Sequence, residues 1–178
     1  MRPRDCLALL LAWLPPSAHA ASTQLELSPP ASEVAIRTWG LGLLPFDGRF
    51  TSFHGSLRYD PDQHTCRVTL SVDVASLAMA DQTVRNTIVG EEFMDAARFP
   101  TLTYAGACDA PDVAGTLGMH GLSRPLSLSL DWNPARIVAT GELRRDDWGM
   151  TAMPILAGHT IRIRVSIALP PPVHASRD

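Results

Sequence analysis

Asp60, Asp62, His64 and Cys66 stand two residues apart, and on an extended segment that spacing points four metal-competent side chains the same way. The competing reading is a polar turn, Tyr59-Asp60-Pro61-Asp62, that feeds a strand. The chain has no paired cysteines and no His-x-His spacing of the kind zinc sites use. The other histidines of the region after residue 20, at 54, 120, 159 and 174, are scattered. Neither a Gly-x-Ser-x-Gly elbow, a phosphate loop nor a dinucleotide fingerprint occurs. No residue is therefore assigned as catalytic, none as a metal ligand, and no cofactor is required. Three arginines, Arg85, Arg144 and Arg145, could meet an anionic head group or stand as solvated charges. Trp148, in the run RRDDWGM, could stack on a ligand or plug the end of a barrel.

These side chains need elements to hold them, and the clearest element is Thr65–Leu77. Cys66, Val68, Leu70, Val72 and Val74 are apolar, with Arg67, Thr69, Ser71 and Asp73 between them. That period of two marks a strand with one buried and one wet face. The segment Thr160–Leu169 alternates as cleanly, with Ile161, Ile163, Val165, Ile167 and Leu169 in phase. Weaker alternation predicts strands over Thr23–Leu27, Val34–Thr38, Phe50–Tyr59 (with a break near Ser52), Thr101–Cys108, Ala114–Met119, Pro125–Trp132 and Ile137–Leu143. Leu41–Phe46 is too apolar for a plain connection, and is expected to be helical or packed across a barrel end. Val84, Ile88 and Phe93 recur at near-helical spacing behind Asp81, a residue suited to capping, so a helical insertion is expected over 81–97. About eight amphipathic strands with turn signals predict an all-β, antiparallel, closed or nearly closed barrel. A barrel of that size is either filled by its own side chains or holds one small ligand.

The chain has 178 residues, 46% of them hydrophobic and 19% charged, which suits one domain with a sizeable core. Its net charge of −3 and lack of a basic run exclude a nucleic-acid partner. Residues 1–20 read as a secretory signal: Arg2 and Arg4, then the apolar run Cys6–Leu14, then Ala18-His19-Ala20. The run is less than half the length of a membrane span of about 20 residues. Cleavage after Ala20 removes Arg2, Arg4 and Asp5, taking the net charge from −3 to −4. It leaves a domain over 21–170, a frayed tail over 171–178, and two cysteines in an oxidising compartment. If Thr65–Leu77 and Thr101–Cys108 pair antiparallel across the insertion, Cys66 and Cys108 fall at the same end with both side chains inward. A disulfide and a pair of small buried thiols are the two readings.

The residues also carry a family likeness. From Val34 to Leu169 the chain resembles the YceI-like family of bacterial polyisoprenoid-binding proteins, through GRFTSFHGSLRYDP, VDVASL, Arg85 followed by EEFMDAARFPTLTY, GTLGMHGLSRPLSLSL, LRRDDWGMTA and the closing IRIRVSIAL. The resemblance implies an eight-stranded lipocalin-like barrel with a helical insertion, exported to the periplasm. Its apolar tunnel would hold or carry a polyisoprenoid, an isoprenoid quinone or another amphiphile. The expected tunnel lining is Val34, Ile36, Phe50, Phe53, Leu70, Val72, Tyr104, Leu128, Trp148, Ile163 and Val165, with Ile88 and Phe93 from the insertion as a movable cap. The chain departs from the family pattern where a His is common after the first tunnel strand; Gly40 stands there. Arg85 is followed by Asn86 in place of an Asp, and Trp148 fills a position where Phe is common. A packed barrel without ligand, acting as an interaction module, is the second reading. A homodimer stays open.

Overall fold

The computed structural model describes residues 22–170 other than Pro61, Asp62, His64 and Ala110. The tail over 171–178 and the signal over 1–20 lie outside the described residues. Alternation makes eleven strand segments: β1 (Thr23–Leu27), β2 (Ser32–Gly40), β3 (Leu44–Phe50), β4 (Phe53–Asp60), β5 (Thr65–Asp73), β6 (Leu77–Met79), β7 (Thr101–Asp109), β8 (Asp112–Met119), β9 (Leu122–Asn133), β10 (Arg136–Arg144) and β11 (Thr160–Ala168). They form one antiparallel sheet in the order β1-β4-β5-β7-β8-β9-β10-β11-β2-β3-β6. Among the described residues a single α-helix, α1 (Gln82–Val89), follows β6. None of the described helices is long and apolar enough to cross a membrane.

Eleven segments exceed the expected count of about eight chiefly because Leu44–Phe50 forms a strand that was not expected and Thr65–Leu77 splits into β5 and β6; three passes of the chain bend sharply. β1 runs into β2 through the cis Pro29–Pro30 bond, β3 into β4 through Thr51–Ser52, and β5 into β6 through a 3-10 turn, Val74–Ser76. β4 pairs β1 and β5, and β3 pairs β2 and β6, so the bends sit side by side. Hydrogen bonds join the neighbouring corners: the Thr51 N–H donates to the Ser76 carbonyl at 3.2 Å, and the Asp73 N–H to the Ser52 carbonyl at 3.0 Å. One bent pass thus pairs near both ends of the sheet order, and the sheet curls round into a barrel.

Local chemistry explains where the elements stop. The alternation expected to run from Thr65 to Leu77 ends at Asp73, whose carboxylate accepts from the Ala75 N–H at 2.9 Å and turns the chain. Asp81 caps α1 by accepting from the Thr83 and Val84 N–H groups. The helix ends at Val89, well short of residue 97: after Gly90 the chain doubles back, with Met94 N–H bonded to Ile88 O and Asp95 at a positive φ of 44°. Leu41–Phe46 is not helical. Leu41 and Gly42, at φ 50° and 70°, make a tight turn, and Leu44–Phe46 opens β3.

The inward phases build one large apolar cluster, with Val34, Phe50, Val72, Leu117 and Leu128 among its buried members. A smaller cluster of Leu27, Leu57, Tyr59, Ile137 and Ile167 fills the end where β4 turns into β5.

Candidate functional site: the mouth and lumen of the barrel

The lumen is a line of three apolar voids. A cavity of about 220 Å³ opens at the end that carries α1. Ile36 and Phe46 form its barrel wall, Val84, Ile88 and Phe93 come from the insertion, and Met153 and Leu156 come from the β10–β11 connection. Beneath it a void of about 60 Å³ is ringed by Val34, Ile36, Phe50, Leu70, Val72, Tyr104, Leu128, Ile163 and Val165. A third, of about 40 Å³, lies among Leu27, Leu57, Tyr104, Ile137 and Ile167. Ile36 borders the first and second voids; Leu70, Tyr104, Leu128 and Val165 border the second and third. Each lower void has room for a few water molecules by volume, but its apolar walls offer water no partners.

Eleven of the thirteen side chains expected to line the tunnel border one of these voids. Phe53 and Trp148 border none of the three; both are buried in the apolar core. The Trp148 carbonyl is bonded to Nδ1 of His120 at 2.9 Å, and its indole Nε1 is buried with no hydrogen-bond partner among the described residues.

Tyr104 is the one polar-tipped wall residue shared by the two lower voids. Its hydroxyl donates towards the Leu126 carbonyl at 3.1 Å and the Val113 carbonyl at 3.3 Å. Burial pushes the phenol up to about 12. Gly115 makes room for it: a Cβ there would stand 2.4 Å from the Tyr104 ring and hydroxyl. At the mouth, Gly40 has a similar reason. A Cβ at that position would lie 2.8 Å from the Phe46 ring, so an aromatic face occupies the space a larger side chain would need.

The three arginines have three different fates. Arg85 ties α1 to the barrel, donating from Nε to Leu77 O at 3.0 Å and from Nη2 to Ala75 O. Arg144 is exposed and pairs with Asp146 at 3.3 Å. Arg145 is only 2% exposed. Its guanidinium donates to the carbonyls of Gly158 (2.9 Å), Ala157 (3.2 Å) and Met150, and stacks over Phe93 at 5.3 Å. Arg145 is thus a clamp on the β10–β11 connection, placed in the wall of the open cavity. Nothing in the pattern of two adjacent arginines signals which one turns inward. Beside it, Asp146 accepts from Nδ1 of His159 at 2.7 Å, and this bond holds the carboxyl below its usual range.

At the opposite end, Cys66 and Cys108 form a disulfide, their Cα atoms 4.7 Å apart across β5 and β7. Cys66 therefore has no thiolate to give a metal. Asp62 and His64 lie outside the described residues, and Asp60 accepts from the Gln63 N–H at 3.1 Å.

The comparisons agree with this architecture. The sequence profile of the YceI-like domain matches residues 25–169. A UPF0312 protein of Vibrio vulnificus is 28% identical over 150 residues, covering 80% of this chain and 75% of its own. The crystal structure of Burkholderia cenocepacia BcnA superposes with a TM-score of 0.65 at 17% identity, over 78% of this chain and 96% of that one. A polyisoprenoid binding domain from Saccharophagus degradans, implicated in plant cell wall breakdown, gives a TM-score of 0.56 at 14% identity, over 85% and 100% of the two chains.

Proposed function

The chain belongs to the YceI-like domain family, and from that premise we propose that it is an exported binding protein or carrier that holds a long apolar ligand in its barrel. The observation that carries the reading is the line of three apolar voids, which share walls from the mouth to the closed end. The Saccharophagus neighbour, a polyisoprenoid binding domain, supports the ligand class. A polyisoprenoid, an isoprenoid quinone or another long-chain amphiphile fits such a lumen.

Binding of this kind is driven by burial. Each methylene removed from water contributes about 0.8 kcal/mol, partly offset by the cost of ordering the chain. The voids are beads rather than a continuous bore. A threaded chain therefore has to turn aside Ile36 first, then Leu70, Leu128 and Val165, the apolar side chains that border successive voids. Phe93 and Ile88 stand over the first bead as the insertion's contribution to the wall. The role needs no catalytic residue and no metal.

Export is part of the proposal. The signal over 1–20 supports it, and the Cys66–Cys108 bridge suits a periplasmic location. N-terminal sequencing of protein recovered from a periplasmic fraction tests it: the expected first residue is Ala21.

Native mass spectrometry, followed by organic extraction of protein purified from its host, tests ligand holding. A stoichiometric apolar ligand is expected. Protein that is reproducibly empty, and takes up no apolar fluorescent probe, overturns the proposal. That result would favour the second reading, a filled barrel acting as an interaction module, which the small size of the two lower voids supports.

A further inference from the structure

Two segments at the open end contain no charged residue, in a chain that is 19% charged: Trp39 to Phe46 (WGLGLLPF) and Met150 to Gly158 (MTAMPILAG). The structure joins them into one lip. The Leu41 N–H donates to the Leu156 carbonyl at 2.8 Å, the Gly158 N–H to the Trp39 carbonyl at 2.7 Å, and Gly40 bridges Ala157. From below, Arg145 holds the carbonyls of Met150, Ala157 and Gly158.

A surface held this firmly presents its apolar side chains outward. Leu41, Leu43, Leu44, Met153, Ile155 and Leu156 are all exposed, Leu43 by 84% and Ile155 by 85%. Leu41 and Met153, one in each segment, sit at φ 50° and 48°, a left-handed conformation that bulky side chains rarely adopt. Beneath the apolar tips lies a polar and aromatic base. Arg162 stacks over Trp39 at 4.9 Å, and Arg37 pairs with Asp47 at 2.6 Å. Apolar tips above a tryptophan and arginines match the layering of a membrane interface.

We propose that this lip docks on the surface of a lipid bilayer, with Leu43 and Ile155 entering the hydrocarbon boundary. Two observations select a bilayer over a protein partner. The lip carries no charge of either sign with which to orient a partner protein. It is also continuous with the cavity: Phe46, Met153 and Leu156 line the 220 Å³ mouth. A protein seated there would cover the entrance, whereas a bilayer is a source of apolar chains. Docking lets a ligand pass between membrane and barrel without crossing water, which goes beyond the holding of a ligand.

The test is flotation with phosphatidylcholine vesicles, comparing the wild type with the double variant Leu43→Asp/Ile155→Asp. Both proteins begin at Ala21, without the proposed signal, so any difference between them reads the lip, and both positions are too exposed for the change to disturb the core. The wild type is expected to float, with little dependence on salt, and the partition of the variant to fall at least about tenfold. Four results overturn the proposal: a wild type that stays behind; a variant that floats equally well; flotation only on anionic vesicles with release by salt; or a lip-dependent dimer that does not float, which would make a second copy the occupant. Uptake of an apolar probe from solution is measured alongside. Loss of uptake in both proteins removes the proposed ligand-holding role, and leaves the flotation result to be judged separately.

Discussion

At the end where β4 turns into β5 and β7 into β8, the lumen is shut by bonded and stacked side chains. The Cys66–Cys108 bridge ties neighbouring strands, Tyr59 leans on Trp132 with ring centroids 5.9 Å apart, and Leu27, Leu57, Ile137 and Ile167 fill the space between. At the other end the same alternating strands finish in loops whose leucines and isoleucine face outward, around a cavity of about 220 Å³, against about 40 Å³ for the void nearest the closed end. Apolar residues serve both ends. At one they are packed against each other, and at the other they stand exposed among the described residues. The barrel therefore has a floor and a mouth, so substitutions at the floor should change stability, and substitutions at the lip should change exchange with the surroundings.

Removing the floor's covalent tie is the most severe way to break that contrast. Replacing Cys66 and Cys108 by Ala frees a loop closed across 42 residues, for which chain entropy predicts a loss of about 4 kcal/mol. A denaturant titration reads it as a lower midpoint, while probe uptake at the mouth persists under native conditions. An unchanged midpoint would show that the floor does not anchor the fold. Thiol labelling of unreduced, denatured wild type should find neither cysteine reactive.

Alkali attacks between the two ends. The Tyr104 phenol ionises only near pH 12 in the folded chain, against about 10 when unfolded. The unfolded state therefore releases its proton first, and the stability that this group contributes is intact below pH 10 and lost between pH 10 and 12. Absorbance of the phenolate should show one tyrosine ionising together with unfolding. A Tyr104 that titrates near 10 in a folded barrel would mean that the lumen admits water.

Trp148 sharpens the picture close to the mouth. Trp148→Phe removes an indole N–H that has no acceptor among the described residues and keeps most of the apolar volume, so it should cost less than about 1.5 kcal/mol. Trp148→Ala should cost about 3–5 kcal/mol. Thermal or denaturant melts separate the two. A large loss with Phe would reveal a partner for the indole.

How much of this was legible in the sequence differs by feature. The strands were, because a period of two is a direct record of which side chains face the core. The helix cap was also, since Asp81 precedes the apolar spacing that it starts. The corners were legible in part: the break near Ser52 marks the bend between β3 and β4, but Val72, Val74 and Leu77 stay apolar through the bend between β5 and β6, where the Asp73 carboxylate redirects the backbone. Leu41–Phe46, expected to be helical or packed across a barrel end, is instead an exposed turn that opens β3, because hydrophobicity does not record direction; the signal available was an uncharged stretch with Gly40 and Gly42 at a turn. The beaded lumen could not be read at all, because strand phase gives the facing of Leu70 or Leu128 but not the volume left between them. For the same reason Phe53 could not be told from a wall residue, and Trp148, in a 3-10 turn, was open to both readings, a ligand stack or a plug.

The smallest expected effect concerns the base of the lip. His159 holds the Asp146 carboxyl below its ordinary range through a 2.7 Å bond, and Arg144 adds a 3.3 Å contact. A carboxylate depressed in the folded state stabilises it above the unfolded value near pH 4 and ceases to do so as pH falls through the folded one. Asp146 is near solvent, so the effect on global stability should be too small to move a melting midpoint. It should appear locally instead: amide exchange in residues 145–159, corrected for its intrinsic dependence on pH, should rise below pH 4 while the floor stays protected. Between pH 5 and 7 the protection of the lip should not change. Loosening of the lip within that neutral window would show that a group other than Asp146 governs it.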